Sequence, residues 1–219
     1  LAIGKFSGHQ LHLFEKLTPA VVVVDYDVLV GGLDCVLPDF VGGMNQAAGY
    51  LTTHYQNIGL IAGLELTTDG QRVRDVREKT FLNALKDRER YNPKLVKVEN
   101  YTVDGGYKAM KELLAGPESL DAVMVTNDAM AVGALRALHE AHVVIPDQIA
   151  LVSFNDIESV TCNLYPALSA VHVATDQMAS VAIELLGRRL ADSELAPQRV
   201  VVGTRLMLRQ STPPEETNS

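Results

Sequence analysis

The chain alternates between short, nearly unbroken runs of Val, Ile and Leu and longer amphipathic stretches, and this alternation limits its fold more than any other feature. AVVVVD (residues 20–25) is β-branched, short and closed by an acid. NIGLIAG (57–63), KLVKVEN (94–100), DAVMVTND (121–128) and IALVSFND (149–156) repeat the design. Helix-like segments lie between them, around residues 47–53, 72–90, 104–115 and 129–141. Strands that are apolar on both faces, separated by helices of ~10–15 residues, imply parallel sheet covered on both sides. Right-handed crossovers then give a doubly wound α/β layout. Towards the C-terminus, LSAVHVA (168–174) reads as a strand, 175–190 as a helix and QRVVVGTRLMLR (198–209) as one or two closing strands. The Pro- and charge-rich end, residues 213–219, is expected to be a disordered tail.

At 219 residues the chain can form one large domain or two small ones. Its charge, 19 − 27 = −8, argues against a nucleic-acid surface on this chain. Two cysteines, Cys35 and Cys162, are too few for a disulfide framework and suit a reducing, cytoplasmic setting. No apolar run reaches the roughly 18–20 residues that span a bilayer, so no membrane partner is expected. LAIGKFSGHQ at the start lacks the pattern of a secretory signal.

Ligands of doubly wound sheets bind beyond the carboxyl ends of the strands, so the residues there matter most. Asp25 closes the first strong strand, Asn127 and Asp128 follow another, and Asn155 and Asp156 follow a third. Asp and Asn are also ordinary helix caps and turn formers, and for Asp128 and Asp156 that reading stands beside the functional one. Asn127 and Asn155 as a pair point further, because amides both donate and accept and so suit hydroxyl-rich ligands. Arg72 and Arg74 read as a solvated helix face. Arg77 lies one helical turn before Phe81, and its guanidinium can grip sugar hydroxyls or a carboxylate. Tyr101, between KLVKVEN and DGGY, is either core or a ring that stacks on a sugar.

Catalytic signatures are missing. The sequence has no Gly-x-Ser-x-Gly elbow, no Gly-x-x-x-x-Gly-Lys-Ser/Thr loop and no Gly-x-Gly-x-x-Gly fingerprint. His9/His12 and His139/His142 lack acidic or cysteine company, so no metal and no other cofactor is expected. Cys162 has no evident histidine partner. The chain is not expected to be an enzyme.

Several motifs together resemble the effector-binding core of the lactose- and galactose-repressor family of bacterial transcription regulators. They are TPAVVVVD, IGLIAG, RDVREKTF, DGGYKAMKELL, VMVTNDAMAVGALRAL, IPDQIALVSFNDIES and YPALSAVHV, in the family's order, over about residues 1–212. The resemblance implies an α/β, two-lobed, periplasmic-binding-protein-like sensor, its parallel sheets covered by helices on both faces, that closes on a small sugar or sugar-like effector. It implies effector contacts from Asp25 and Arg77, a stacking ring at Tyr101 and hydrogen bonds from Asn127 and Asn155. Several family members carry Asp where this chain has Asn155.

Chain crossings are implied near Pro38, near residues 172–175 and near Gln198. The N-terminal lobe would comprise 1–38 plus 174–198 and the C-terminal lobe 39–173 plus 199–212. Family members begin with a DNA-binding headpiece and the first units of the N-terminal lobe, neither of which is in this sequence. The lobe is therefore expected to be incomplete, with operator DNA reached only through the missing headpiece, and the sensor is expected to form a homodimer. The loop 53–57 is one residue shorter than the family's. A periplasmic sugar-binding protein of a transporter shares the architecture and is the alternative; a sugar-acting α/β enzyme is a third reading.

Overall fold

The computed structural model describes residues 1–4, 6–18, 20–28, 32–66 and 72–213. In chain order the elements are β1 (Ala2–Ile3), α1 (Gly8–Leu17), β2 (Val22–Val24), β3 (Asp34–Pro38), α2 (Phe40–His54), β4 (Ile58–Gly63), β5 (Glu65–Leu66), β6 (Arg72–Val73) and α3 (Val76–Asp87). There follow β7 (Val96–Glu99), α4 (Val103–Leu114), β8 (Ala122–Val125), α5 (Asp128–Glu140), β9 (Ala150–Asn155), α6 (Glu158–Thr161), β10 (Ser169–Val173), α7 (Thr175–Ala191), β11 (Arg199–Val202) and β12 (Thr204–Met207). The chain forms two compact units, residues 1–40 with 174–204 and residues 41–173 with 205–219.

The smaller unit holds a parallel four-stranded sheet in the order β1-β2-β3-β11. Val21, Val23, Cys35 and Leu37 form its core with Phe6, Leu11 and Phe14 packed alongside. A buried ion pair ties its parts together. Arg189 of α7 donates from Nε and Nη2 to Asp34 of β3, both at 2.9 Å, and also to the Ser193 carbonyl at 3.0 Å. Asp34 further accepts from the Gln198 amide at 2.7 Å.

The larger unit holds a six-stranded sheet in the order β12-β10-β9-β8-β4-β7. β4 pairs in parallel with β7 on one side and β8 on the other, so strand order reverses about β4. That is the switch point at which open α/β sheets place ligands. Helices α4 and α5 cross closely because each carries a glycine at the contact. A Cβ on Gly133 would stand 1.8 Å from the Val103 carbonyl oxygen, and one on Gly106 1.9 Å from that of Met130.

Three expectations need correcting. The helix read over residues 72–90 begins only at Val76, because Asp75 caps it with a side-chain bond to the Arg77 amide. Arg72 and Arg74 therefore precede the helix, and both turn to the buried carboxylate of Glu78, at 2.6 and 3.5 Å. The last crossing falls after Thr204, not near Gln198, since Arg199–Val202 pairs with Cys35–Pro38 in the smaller sheet. Finally, α1 and β3 escaped the sequence reading, the strand because DCVLP is bounded by acids and a proline.

The C-terminal stretch is firmly held up to residue 213. Ser211 and Thr212 are buried. The Ser211 carbonyl accepts from the Leu151 amide at 2.9 Å, its hydroxyl donates to the Leu151 carbonyl at 2.6 Å, and the Pro213 carbonyl accepts from the Tyr50 hydroxyl at 2.9 Å. The rest of the expected tail, 214–219, lies outside the described residues.

Gly133→Ala is expected to destabilise the larger unit by about 2 kcal/mol or more in urea unfolding. The obstacle is backbone, so the clash outweighs the roughly 1 kcal/mol that alanine gains in helix propensity.

Candidate functional site

Four of the five sequence-derived site residues meet at the carboxyl edge of the larger sheet. Arg77 opens α3, Tyr101 follows β7, Asn127 follows β8 and Asn155 ends β9. Asp25 belongs to the smaller unit, where it follows β2, exposed, with φ of 68° and its amide donating to the Val36 carbonyl at 2.9 Å.

Arg77 is buried and organises this edge. Its Nη1 donates to the Thr126 carbonyl at 2.9 Å, immediately before Asn127. Its Nη2 donates to the Tyr101 hydroxyl at 3.1 Å, and the guanidinium carbon lies 5.7 Å from the ring centroid of Phe154, the neighbour of Asn155. The carboxylate it holds is the chain's own: Nε donates to Asp75 Oδ1 at 2.8 Å and Nη2 to Oδ2 at 3.3 Å.

Tyr101 packs its ring directly on the end of β4. A Cβ on Gly63 would lie 2.0 Å from Tyr101 Cζ, so only glycine admits the ring there. Thr126 Oγ1 accepts from the Gly63 amide at 3.1 Å and fixes that strand end. Burial pushes the Tyr101 phenol well above its ordinary range; the Arg77 charge opposes this, while Asp75 and Glu65 reinforce it. The phenol is neutral at physiological pH.

The asparagines differ. Asn127 is the N-cap of α5, its Oδ1 accepting from the Met130 amide at 3.0 Å, so its cap role is real and its amide N–H groups are additional. Asn155 has φ of 106°, followed by Asp156 at 59°, a left-handed pair that ordinary side chains avoid. The Asn155 side chain is half-buried and makes no hydrogen bond to the described residues.

Asp156 and Asp128 hold this strained corner, and each does more than a turn or cap. Both Asp156 oxygens accept from Arg209, at 2.7 and 3.0 Å, with Thr161 at 2.7 Å and His172 at 3.1 Å. Burial, the largest influence, pushes the Asp156 carboxyl up, but the Arg209 and Thr161 bonds outweigh it and the net shift is downward. Asp128 accepts from Ser153 Oγ at 2.5 Å and the Ile157 amide at 2.7 Å, and burial raises its carboxyl overall. Asp156, Glu158 and His172 each bring a ligand atom within 4.8 Å of the others, yet the Asp156 carboxylate is already matched by the Arg209 cation. Asp75, Gly63, Thr126 and Arg209 all escaped the sequence reading. Only Asp75 left a signal, as an acid two residues before Arg77.

A model of the periplasmic binding protein-like domain matches residues 49–212. The chain belongs to the periplasmic binding protein-like domain family. Its relatives bear out the resemblance to lactose- and galactose-repressor sensors. The HTH-type transcriptional regulator GalR of Streptococcus thermophilus is 36% identical over 97% of this chain and 65% of its own length. The HTH-type transcriptional repressor MelR of Bacillus subtilis (strain 168) is 35% identical over 96% of this chain and 62% of its own length. This chain thus spans somewhat less than two thirds of the curated relatives it matches. A solved complex of the transcriptional regulator CelR with cellobiose superposes with a TM-score of 0.75 at 25% identity, over 94% of this chain and 71% of that one.

Acid titration tests the Asp156 corner. A depressed carboxyl contributes stability that is present above its ordinary pKa of about 4 and lost as pH falls through the folded value. The stability gap between wild type and Asp156→Asn should therefore narrow from pH 7 to pH 3; a constant gap contradicts the assignment. Arg209→Ala, which strands the buried carboxylate, is expected to cost about 3 kcal/mol at neutral pH.

Proposed function

We propose that this chain is the effector-sensing part of a sugar-responsive transcriptional repressor and that the carboxyl edge of the larger unit contacts the sugar. The observation that carries this reading is the meeting of Arg77, Tyr101, Asn127 and Asn155 on adjacent strand ends, with Asn155 offering an uncommitted amide. Amide donors and acceptors beside an aromatic ring suit a polyhydroxylated ring, whose hydroxyls do both and whose C–H face is apolar. The cellobiose bound by the CelR relative is of this chemical kind. Asp25, on the smaller unit, is proposed as a further effector contact.

Effector binding would favour one population of the sensor and so change operator affinity, by linkage. DNA contact belongs to a helix-turn-helix headpiece like those in the relatives' names, not to this acidic chain. The working protein is proposed to be a cytoplasmic homodimer without catalytic activity. Among the described residues no helix is long and apolar enough to cross a membrane. The transporter alternative draws less support, since regulators match nearly the whole chain.

A thermal-shift screen of the full-length gene product with galactosides, glucosides, pentoses and purines tests the reading. A hundredfold excess over Kd adds about 2.7 kcal/mol, which raises Tm by roughly 5 °C or more. Arg77→Ala is expected to abolish the response. A full shift retained by a folded Arg77→Ala protein removes Arg77 from the site, and a shift with purines alone removes the sugar assignment.

A further inference from the structure

Arg77, the cation among the proposed effector contacts, is paired with a carboxylate of the chain itself. Arg77 holds Asp75 through two bonds, and the pair is closely packed, with side-chain exposures of 11% and 10%. Arg209 holds Asp156 through two bonds, and Lys108 holds Glu99 at the end of β7. Arg72 and Arg74 turn instead to Glu78. Among the described residues, Tyr101 meets Arg77 as a neutral phenol and hydrogen-bonds the carboxylate of Glu65. Asn127 and Asn155 are uncharged.

An anionic ligand binds where a guanidinium can give it a two-bond grip. At Arg77 that grip is already taken by Asp75, whose second oxygen and first oxygen both accept from it. A phosphate or carboxylate arriving there would displace a built carboxylate or lie beside it. Either way it meets like charge in a partly desolvated place, which weighs at least about tenfold against it.

We infer that this edge selects uncharged sugars and rejects phosphorylated or carboxylated ones, and that Asp75 is the specificity-determining residue. The inference rests on the effector-site reading proposed above and adds the charge class of the ligand. Asp75 acts by repulsion as much as by orientation: it fixes the guanidinium plane and cancels its charge, a device aimed against a competing ligand class.

The test is calorimetric titration of the full-length protein with galactose, glucose, lactose and cellobiose against galactose 1-phosphate, glucose 6-phosphate and galacturonate. The wild type is expected to bind a neutral sugar at least about tenfold tighter than its anionic counterpart. Asp75→Asn keeps an oxygen to cap α3 but loses the charge, since Asn caps helices as well as Asp. It should lower the neutral-to-anionic preference by about tenfold; Asp75→Ser, another good cap, should act in the same direction. A wild type that prefers the anionic partner overturns the charge assignment while leaving the effector site standing. So does a folded Asp75→Asn protein with an unchanged preference. Binding of neither class overturns the effector reading itself, and the inference with it.

Discussion

Strands buried on both faces can release polar side chains only where they end, and the larger unit is built on that constraint. The interiors of β4, β8 and β9 are closed to polar side chains apart from hydrogen-bonded Ser153, so chemistry collects at one edge. There Thr126, Asn127, Asn155 and Asp156 leave the sheet within a residue or two of the last apolar position. A desolvated polar group must find partners, and the edge supplies them from neighbouring strands and helices. Arg77 reaches the Thr126 carbonyl, and Asp128 reaches Ser153 and the Ile157 amide.

The same constraint explains why the C-terminal segment belongs to the fold. Asn155 and Asp156 occupy left-handed conformations that cost free energy unless the surroundings hold them. Arg209, arriving from the last stretch of chain, clamps Asp156, while Ser211 bonds β9 and the Ser169 amide of β10. The corner that presents Asn155 is therefore secured by residues more than fifty positions away. An amide presented on a strained but over-determined backbone is preorganised for a ligand.

Charge balance gives this edge its character. Arginine at a sugar site serves two purposes that the residue type alone does not separate, hydroxyl recognition and anion capture. In this chain the partner decides, because Asp75 sits in the N-cap of the very helix that carries Arg77. One carboxylate thus caps a helix and orients a guanidinium.

Periodicity and strand-end chemistry made the parallel α/β class legible, and motif order made the family legible, because buried strands and their polar stops leave local traces. The positions of Tyr101, Asn127 and Asn155 could be read for the same reason, since each ends or closely follows a strand, whereas Arg77 was read from its helical spacing to Phe81. What the sequence could not reveal was the matching of side chains across long separations. Asp156 looked like a turn residue because Arg209 lies far along the chain, and Arg77 looked equally able to take a carboxylate or hydroxyls. The end of the chain looked loose from residue 213 although the Pro213 carbonyl accepts from the Tyr50 hydroxyl. Local pattern determines which elements form and which residues stand at their ends. Only the packed sheet decides which of those residues satisfy one another, because desolvation and charge pairing depend on distance in space and not on spacing in the chain.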